Sequence, residues 1–173
     1  FVELVEECHK RDIWVMVDVV ANHVGPVGTD YSQITPFDSA EHYHDRCDVK
    51  DWNDQWQVEN CRLADLPDLK HENEWVTEKL VEWISDLVKK YKLDGIRIDT
   101  IIEVPTWFWD KFNKAAGVFQ IGEAFNGNPD YVASYQKHFD SVFNYPLYYS
   151  MKESFCGSFR NLEKYWTENR KKF

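Results

Sequence analysis

The strongest pattern along the chain is a near-continuous apolar run, Ile13 to Val20 (IWVMVDVV), of the kind shown by a parallel strand buried on both faces. From His71 to Tyr91 the apolar residues Val76, Leu80, Trp83, Ile84, Leu87, Val88 and Tyr91 recur at helical spacing. Glu72 and Glu74 open that helix and Lys89, Lys90 and Lys92 close it, matching its dipole. Leu93 to Asp99 reads as a second strand, Val118 to Glu123 as a third and Ser141 to Asn144 as a fourth. Between the second and third, Pro105 suits the first turn of a helix and Gly117 its C-terminal stop. Alternation of this kind predicts an α/β fold with a parallel sheet and right-handed crossovers. The chain opens inside an apolar-periodic segment (Val2, Leu4, Val5, Cys8), and Phe1 is not an initiator Met, so an internal fragment of a longer protein is expected.

One connection breaks the rhythm. Loops after such strands usually take roughly 2–6 residues, yet residues 24–70 separate the first strand from its helix. The stretch carries turn-formers (Gly25, Pro26, Gly28, Pro36), several Asp and His residues, and two of the four cysteines. It reads as a small subdomain inserted into the sheet, with residues 1–23 and 71–173 forming the main body. Cys47 and Cys61 are the two cysteines that look paired, closing a short polar loop, although count alone leaves the connectivity open.

Composition narrows the partners. A net charge of −10, with Lys and Arg scattered, argues against nucleic acid and against an anionic membrane surface. There is no membrane-spanning run and no signal peptide at the start. An aromatic share of 16% is high, and flat ring faces pack well on sugars, so composition permits a carbohydrate ligand without requiring one.

Charged residues inside parallel strands need a reason. Asp18 lies within the first strand; Arg97 and Asp99 lie two apart in the second, so their side chains share a face; Glu123 ends the third. Each carboxylate falls at or near the C-terminal end of its strand, where α/β sheets and barrels build active sites. Arg97 is placed to offset the cost of burying Asp99. Adjacent parallel strands lie about 4.8 Å apart, so Asp99 and Glu123 could converge on one substrate atom. Two carboxylates about 5–5.5 Å apart make a retaining glycosidase.

These residues resemble the conserved blocks of the alpha-amylase family of glycoside hydrolases. Asp18-Val19-Val20-Ala21-Asn22-His23 is similar to the first block, Gly95-Ile96-Arg97-Ile98-Asp99 to the second and Ile121-Gly122-Glu123 to the third. Leu66-Pro67-Asp68-Leu69 resembles a further block near the end of the inserted segment, and Phe112–Gly117 extends the likeness toward fungal-type enzymes. The resemblance implies a partial TIM (β/α)8 barrel, strands three to about six, with a small irregular domain B inserted after strand three. It implies Asp99 as nucleophile, Glu123 as general acid/base, Arg97 contacting the nucleophile, His23 hydrogen-bonding the sugar, and Asp18 orienting Arg97.

The same resemblance implies a structural Ca2+, held by the side chains of Asn22 and Asp68 and the carbonyls of Glu59 and Glu103; oxygen donors of this kind suit a hard cation. It also implies a Cys47–Cys61 disulfide, and with it secretion. Cys8 and Cys156 default to buried free thiols. The expected ligand is a starch-like polysaccharide or maltooligosaccharide, and the expected full-length state a monomer. Two departures stand out. Ile102 and Glu103 occupy places where starch-cleaving relatives usually carry Lys and His, and the family's third acid, an Asp after Asn-His on strand seven, has no match here. The first keeps an α-glucosidase or transglycosylase of the same superfamily in view, and the second an amylase-like binding protein. The fragment alone is expected to be inactive, because an unclosed barrel leaves edges and apolar faces uncovered.

Overall fold

The computed structural model describes residues 1–157 and 159–173. Helix α1 (Val2–His9) leads into β1 (Met16–Val19), and the inserted segment follows, with a 3₁₀ turn at Ala40–His42 and a short helix, α2 (Gln55–Asn60). Then come α3 (Glu74–Tyr91), β2 (Gly95–Ile98), α4 (Thr106–Ala116), β3 (Phe119–Gly122), α5 (Pro129–Tyr135), β4 (Ser141–Val142), α6 (Tyr145–Phe155) and α7 (Arg160–Thr167). The four strands are all parallel and lie side by side in chain order, each joined to the next through a helix. This is the partial barrel with an inserted irregular segment that the blocks imply.

Local chemistry explains the element ends. The Asn73 side chain accepts from the Trp75 amide and caps α3; Lys92, in the left-handed region, ends it. Pro105 precedes the first turn of α4, and Gly117 (φ 63°) closes it. On α3, Val76, Leu80, Ile84 and Val88 are buried, and Phe108, Trp109, Phe112 and Ala116 do the same on α4. These two helices cover one face of the sheet, where Val19, Ile96 and Ile98 are also buried.

The structure corrects several details of the sequence reading. The strands are shorter: β1 is Met16–Val19 rather than Ile13–Val20, and β4 has two residues. The β1 run is not buried on both faces. Met16 and Phe119 on the inner face are exposed, and Trp14 below β1 is 85% exposed, because four strands leave open a face that eight would enclose. Glu72 stands outside α3, where its carboxylate meets His44 Nε2 at 2.9 Å. Cys8 and Cys156 are free, but neither is buried: Cys8 is half-buried and Cys156 exposed.

The inserted segment has little regular structure. Isolated bridges join His23 to Asp68, Tyr43 to Leu69 and Asp48 to Arg62, so its end folds back on its beginning. Cys47 and Cys61 are joined by a disulfide. Tyr31 and Tyr43 stack at 3.9 Å, and Arg62 Nη2 donates to the Tyr31 hydroxyl at 3.0 Å. No helix among the described residues is long and apolar enough to cross a membrane.

Candidate active site

The sheet register sets the site. Asp18 lies beside Arg97, and Arg97 beside Ile121. The Asp99 amide donates to the Val19 carbonyl at 2.9 Å and the Glu123 amide to the Ile98 carbonyl at 2.8 Å. The ladder thus continues one residue past β2 and β3, and both carboxylates sit at the C-terminal edge with their backbones fixed. Arg97 Nη1 donates to Asp18 Oδ1 (2.7 Å) and to Asp99 Oδ1, while Nη2 meets Glu123 Oε2 at 2.6 Å. Burial works against the guanidinium charge, but the surrounding carboxylates outweigh it and raise the Arg97 pKa above its ordinary value. The Tyr145 hydroxyl donates to Glu123 Oε1 at 2.7 Å; burial and then the Glu123 charge push this phenol up to about 12, so it remains a donor.

The chain turns sharply after Asp99. Thr100, a β-branched residue, sits at φ 53°, a conformation such residues avoid unless the surroundings impose it. The 3₁₀ turn Ile101–Glu103 follows, and Trp109 Nε1 on α4 holds it through the Ile101 carbonyl at 3.0 Å. This turn forms one wall of a cleft of about 560 Å³ that contains Asp99 and Glu123; Trp52 and Leu63 of the inserted segment and Phe125 after β3 form other walls. Glu103 lines the cleft while being 5% exposed, and burial pushes its carboxyl up to about 8.

His23 lies off the main cleft, in a smaller cavity of about 220 Å³ beside Val20, Phe37 and Trp83. Burial lowers its pKa, and the charge of Asp99 partly opposes that shift. Its Nδ1 is 3.2 Å from the Asn22 amide nitrogen.

Among the residues expected to hold a cation, Asn22, Asp68 and Glu103 come together. Asn22 Oδ1 faces the Glu103 carbonyl and Asp68 Oδ1, each at 3.0 Å; turned over, the amide would donate to both and accept from His23. Three oxygens facing one another repel unless a cation, or the turned amide, lies between them. An amide, a carboxylate and a carbonyl are donors of the kind a hard cation takes, while the turned amide satisfies the same oxygens without one; no three His, Cys, Asp or Glu side chains cluster as ligands among the described residues. Burial, opposed by His44, raises Asp68 to about 6. His44 Nδ1 meets Asp68 Oδ2 at 2.7 Å and orients that carboxylate. Glu59, the fourth residue of the expected set, uses its carboxylate to accept from Gln55 Nε2 at 2.7 Å.

Tyr145, Trp52, Phe125 and His44 were not legible as site residues. Each comes from a loop or helix start whose approach to the strand ends is set by tertiary packing, and an aromatic share this high hides individual rings. Gln55 is a similar case: it donates to the Ile102 carbonyl and accepts from Tyr131, tying α2 and α5 to the wall of the cleft.

Comparison with known proteins gives a consistent result. The family model for the alpha amylase catalytic domain matches residues 1–172. An alpha-amylase of Saccharomycopsis fibuligera is 41% identical over 154 residues, covering 84% of this chain and 31% of that protein. An alpha-amylase of Schwanniomyces occidentalis is 41% identical over 161 residues, covering 88% of this chain and 31% of its own. The solved alpha-amylase of Malbranchea cinnamomea superposes with a TM-score of 0.91 at 40% identity, covering 99% of this chain and 38% of that one. That of Geobacillus thermoleovorans, solved with acarbose, gives 0.87 at 36% identity, covering 98% of this chain and 39% of its own. The chain thus spans about a third or less of the curated relatives described.

Proposed function

Because this chain belongs to the alpha-amylase family, we propose that its parent protein is a retaining glycoside hydrolase cutting internal α-1,4 bonds of starch- or glycogen-like glucans. One observation carries the reading: a single guanidinium, Arg97, holds Asp99 on one nitrogen and Glu123 on the other. That arrangement favours the close carboxylate pair of a retaining enzyme, at about 5–5.5 Å, over the wider gap an inverting enzyme needs for water.

In this reading Asp99 attacks the anomeric carbon while Glu123 gives its proton to the departing glycosidic oxygen. Glu123 then takes a proton from the water that releases the glycosyl group from Asp99. Arg97 fixes both carboxylates, Asp18 holds Arg97 from the far side, and His23 binds the sugar beside the cleaved bond. Residues 1–23 and 71–173 form the catalytic barrel portion and residues 24–70 domain B. Asn22 and Asp68, with the carbonyls of Glu59 and Glu103, hold Ca2+, whose part is to tie domain B to the strand ends. The Cys47–Cys61 disulfide supports a secreted protein, acting as a monomer on starch-like polysaccharide or maltooligosaccharides.

The test is substitution in the full-length enzyme. Asp99→Asn and Glu123→Gln should each lower kcat on starch by roughly 10²–10⁴-fold, and wild-type turnover in either variant would contradict the assignment. Glu103 in the cleft wall favours a second reading, an α-glucosidase or transglycosylase of the same superfamily. The product profile on starch against maltose separates the two.

A further inference from the structure

Glu123 is held at both of its oxygens, and the two partners differ in kind. Arg97 Nη2 meets Oε2 at 2.6 Å, while the Tyr145 hydroxyl donates to Oε1 at 2.7 Å. A guanidinium has donors only and carries a fixed charge, so it favours negative charge on Oε2. The proton that Glu123 gives away therefore belongs on Oε1. A protonated carboxyl oxygen still accepts a hydrogen bond, so the Tyr145 contact persists in both protonation states. The phenol, pushed up to about 12 by burial and then by Glu123, keeps its own proton throughout.

The backbone brings this hydroxyl to its place. The Phe143 amide donates to the Gly122 carbonyl at 3.0 Å, so the chain after β4 runs beside the residue that precedes Glu123. Asn144 then caps α6 by accepting from the Leu147 amide at 3.0 Å, and Pro146 stands in the first turn. Tyr145 begins α6 between them, its ring edge-on to Phe125 at 4.8 Å and tilted against Tyr149 at 6.3 Å. That packing holds the ring with or without its oxygen, and only the oxygen reaches Glu123.

We propose that Tyr145 is a positioning residue for the acid/base: its hydroxyl fixes Oε1 as the oxygen that carries the proton and steadies the carboxylate left when that proton departs. The proposal rests on the glycosidase reading above. In the first displacement the Oε1–H bond breaks and the proton passes to the glycosidic oxygen. That oxygen leaves the anomeric carbon with the bonding pair, and Asp99 bonds to the carbon. Negative charge grows on Glu123 in this step, so a donor on Oε1 is held more tightly in the transition state than before it.

The other charged or titratable groups around Glu123 are Arg97 of β2, Asp99 and Glu103 after it, and Tyr149 of α6. Tyr145→Phe leaves all of them in place and keeps the ring. Two substrates read the lost hydroxyl in the full-length enzyme: maltopentaose, whose leaving oxygen takes a proton, and α-maltotriosyl fluoride, whose fluoride departs with little proton assistance. The ratio of kcat/KM for maltopentaose to that for the fluoride should fall about tenfold, the scale of one lost hydrogen bond. The alkaline limb of the maltopentaose pH profile should move to higher pH, because the ionised acid has lost a donor. Placing 3-fluorotyrosine at position 145, a near-isostere with a stronger donor, should move that limb to lower pH, and it decides the matter if Tyr145→Phe does not fold. An unchanged ratio, with both substrates falling together or neither moving, or an unmoved limb, would make Tyr145 a packing residue and overturn the proposal. A wild-type enzyme inert on both substrates would instead overturn the glycosidase reading, and this proposal with it.

Discussion

Arg97 explains at the residue scale why three carboxylates can stand together. Asp18, Asp99 and Glu123 would repel one another across the strand ends; the guanidinium supplies a planar fork of donors that contacts all three. Its fixed charge suits that task better than a lysine's single ammonium. His71 illustrates the opposite tactic. It is fully buried beneath the same strand end, donates from Nε2 to the Ala21 carbonyl at 3.0 Å, and burial lowers its pKa to about 4. The unfolded chain titrates near 6.5, so the neutral ring's contribution to stability is present above that pH and is lost as pH falls toward 4. The loss should be on the order of 3 kcal/mol. Unfolding of the full-length protein between pH 7 and pH 4.5 should show a steeper decline for wild type than for His71→Asn. Equal slopes would contradict this account. Of the site residues, Asp18, Arg97, Asp99 and Glu123 were legible in sequence because a charge inside a parallel strand is costly to bury and is kept only where it has a partner or a task. Tyr145 was not, because a tyrosine at a helix start serves packing as readily as chemistry.

At the scale of elements, the turn after Asp99 connects fold to site. Thr100 holds a left-handed conformation, and α4 reaches across through Trp109 to bind the Ile101 carbonyl. Trp109 is fully buried and packs against Phe108, Phe112 and Phe139. Trp109→Phe would keep much of that packing and leave the Ile101 carbonyl without its donor. It should lower the unfolding free energy by about 1–3 kcal/mol; chemical denaturation checks this, and an unchanged midpoint would mean that the bond does not anchor the turn. The order and type of the main strands and helices were readable from periodicity and punctuation, notably Pro105 and Gly117. Strand ends were not, because pairing rather than hydropathy decides where a ladder stops. Ile13 and Trp14 are apolar enough to extend β1, yet they lie outside it.

Over the whole molecule, the inserted segment contributes to the site without contributing to the sheet. It supplies Trp52 and Leu63 to the cleft and Asp68 to the trio of oxygens, and it is braced internally by the disulfide. A cation bound by Asn22, Asp68 and Glu103 would join the end of β1, the insert and the turn after β2. Chelation should therefore lower the melting temperature of the full-length protein by several degrees, corresponding to about 2–4 kcal/mol of linked binding. Added Ca2+ should restore it, and Asp68→Ala should abolish the response. A melting temperature indifferent to chelator would remove the cation from the account. The insert was recognisable in sequence as an overlong connection, but its approach to the cleft was not, since loop conformation here follows from isolated bridges and aromatic stacking rather than from any periodic pattern.

The central claim is that Asp99 forms the covalent bond to sugar. The most direct measurement is mass spectrometry of the proteolysed full-length enzyme after reaction with a fluorinated maltosyl fluoride that traps the glycosyl-enzyme. The account predicts a single labelled peptide carrying the sugar on Asp99. Label on a different carboxylate, or turnover with inversion and no adduct, would contradict it.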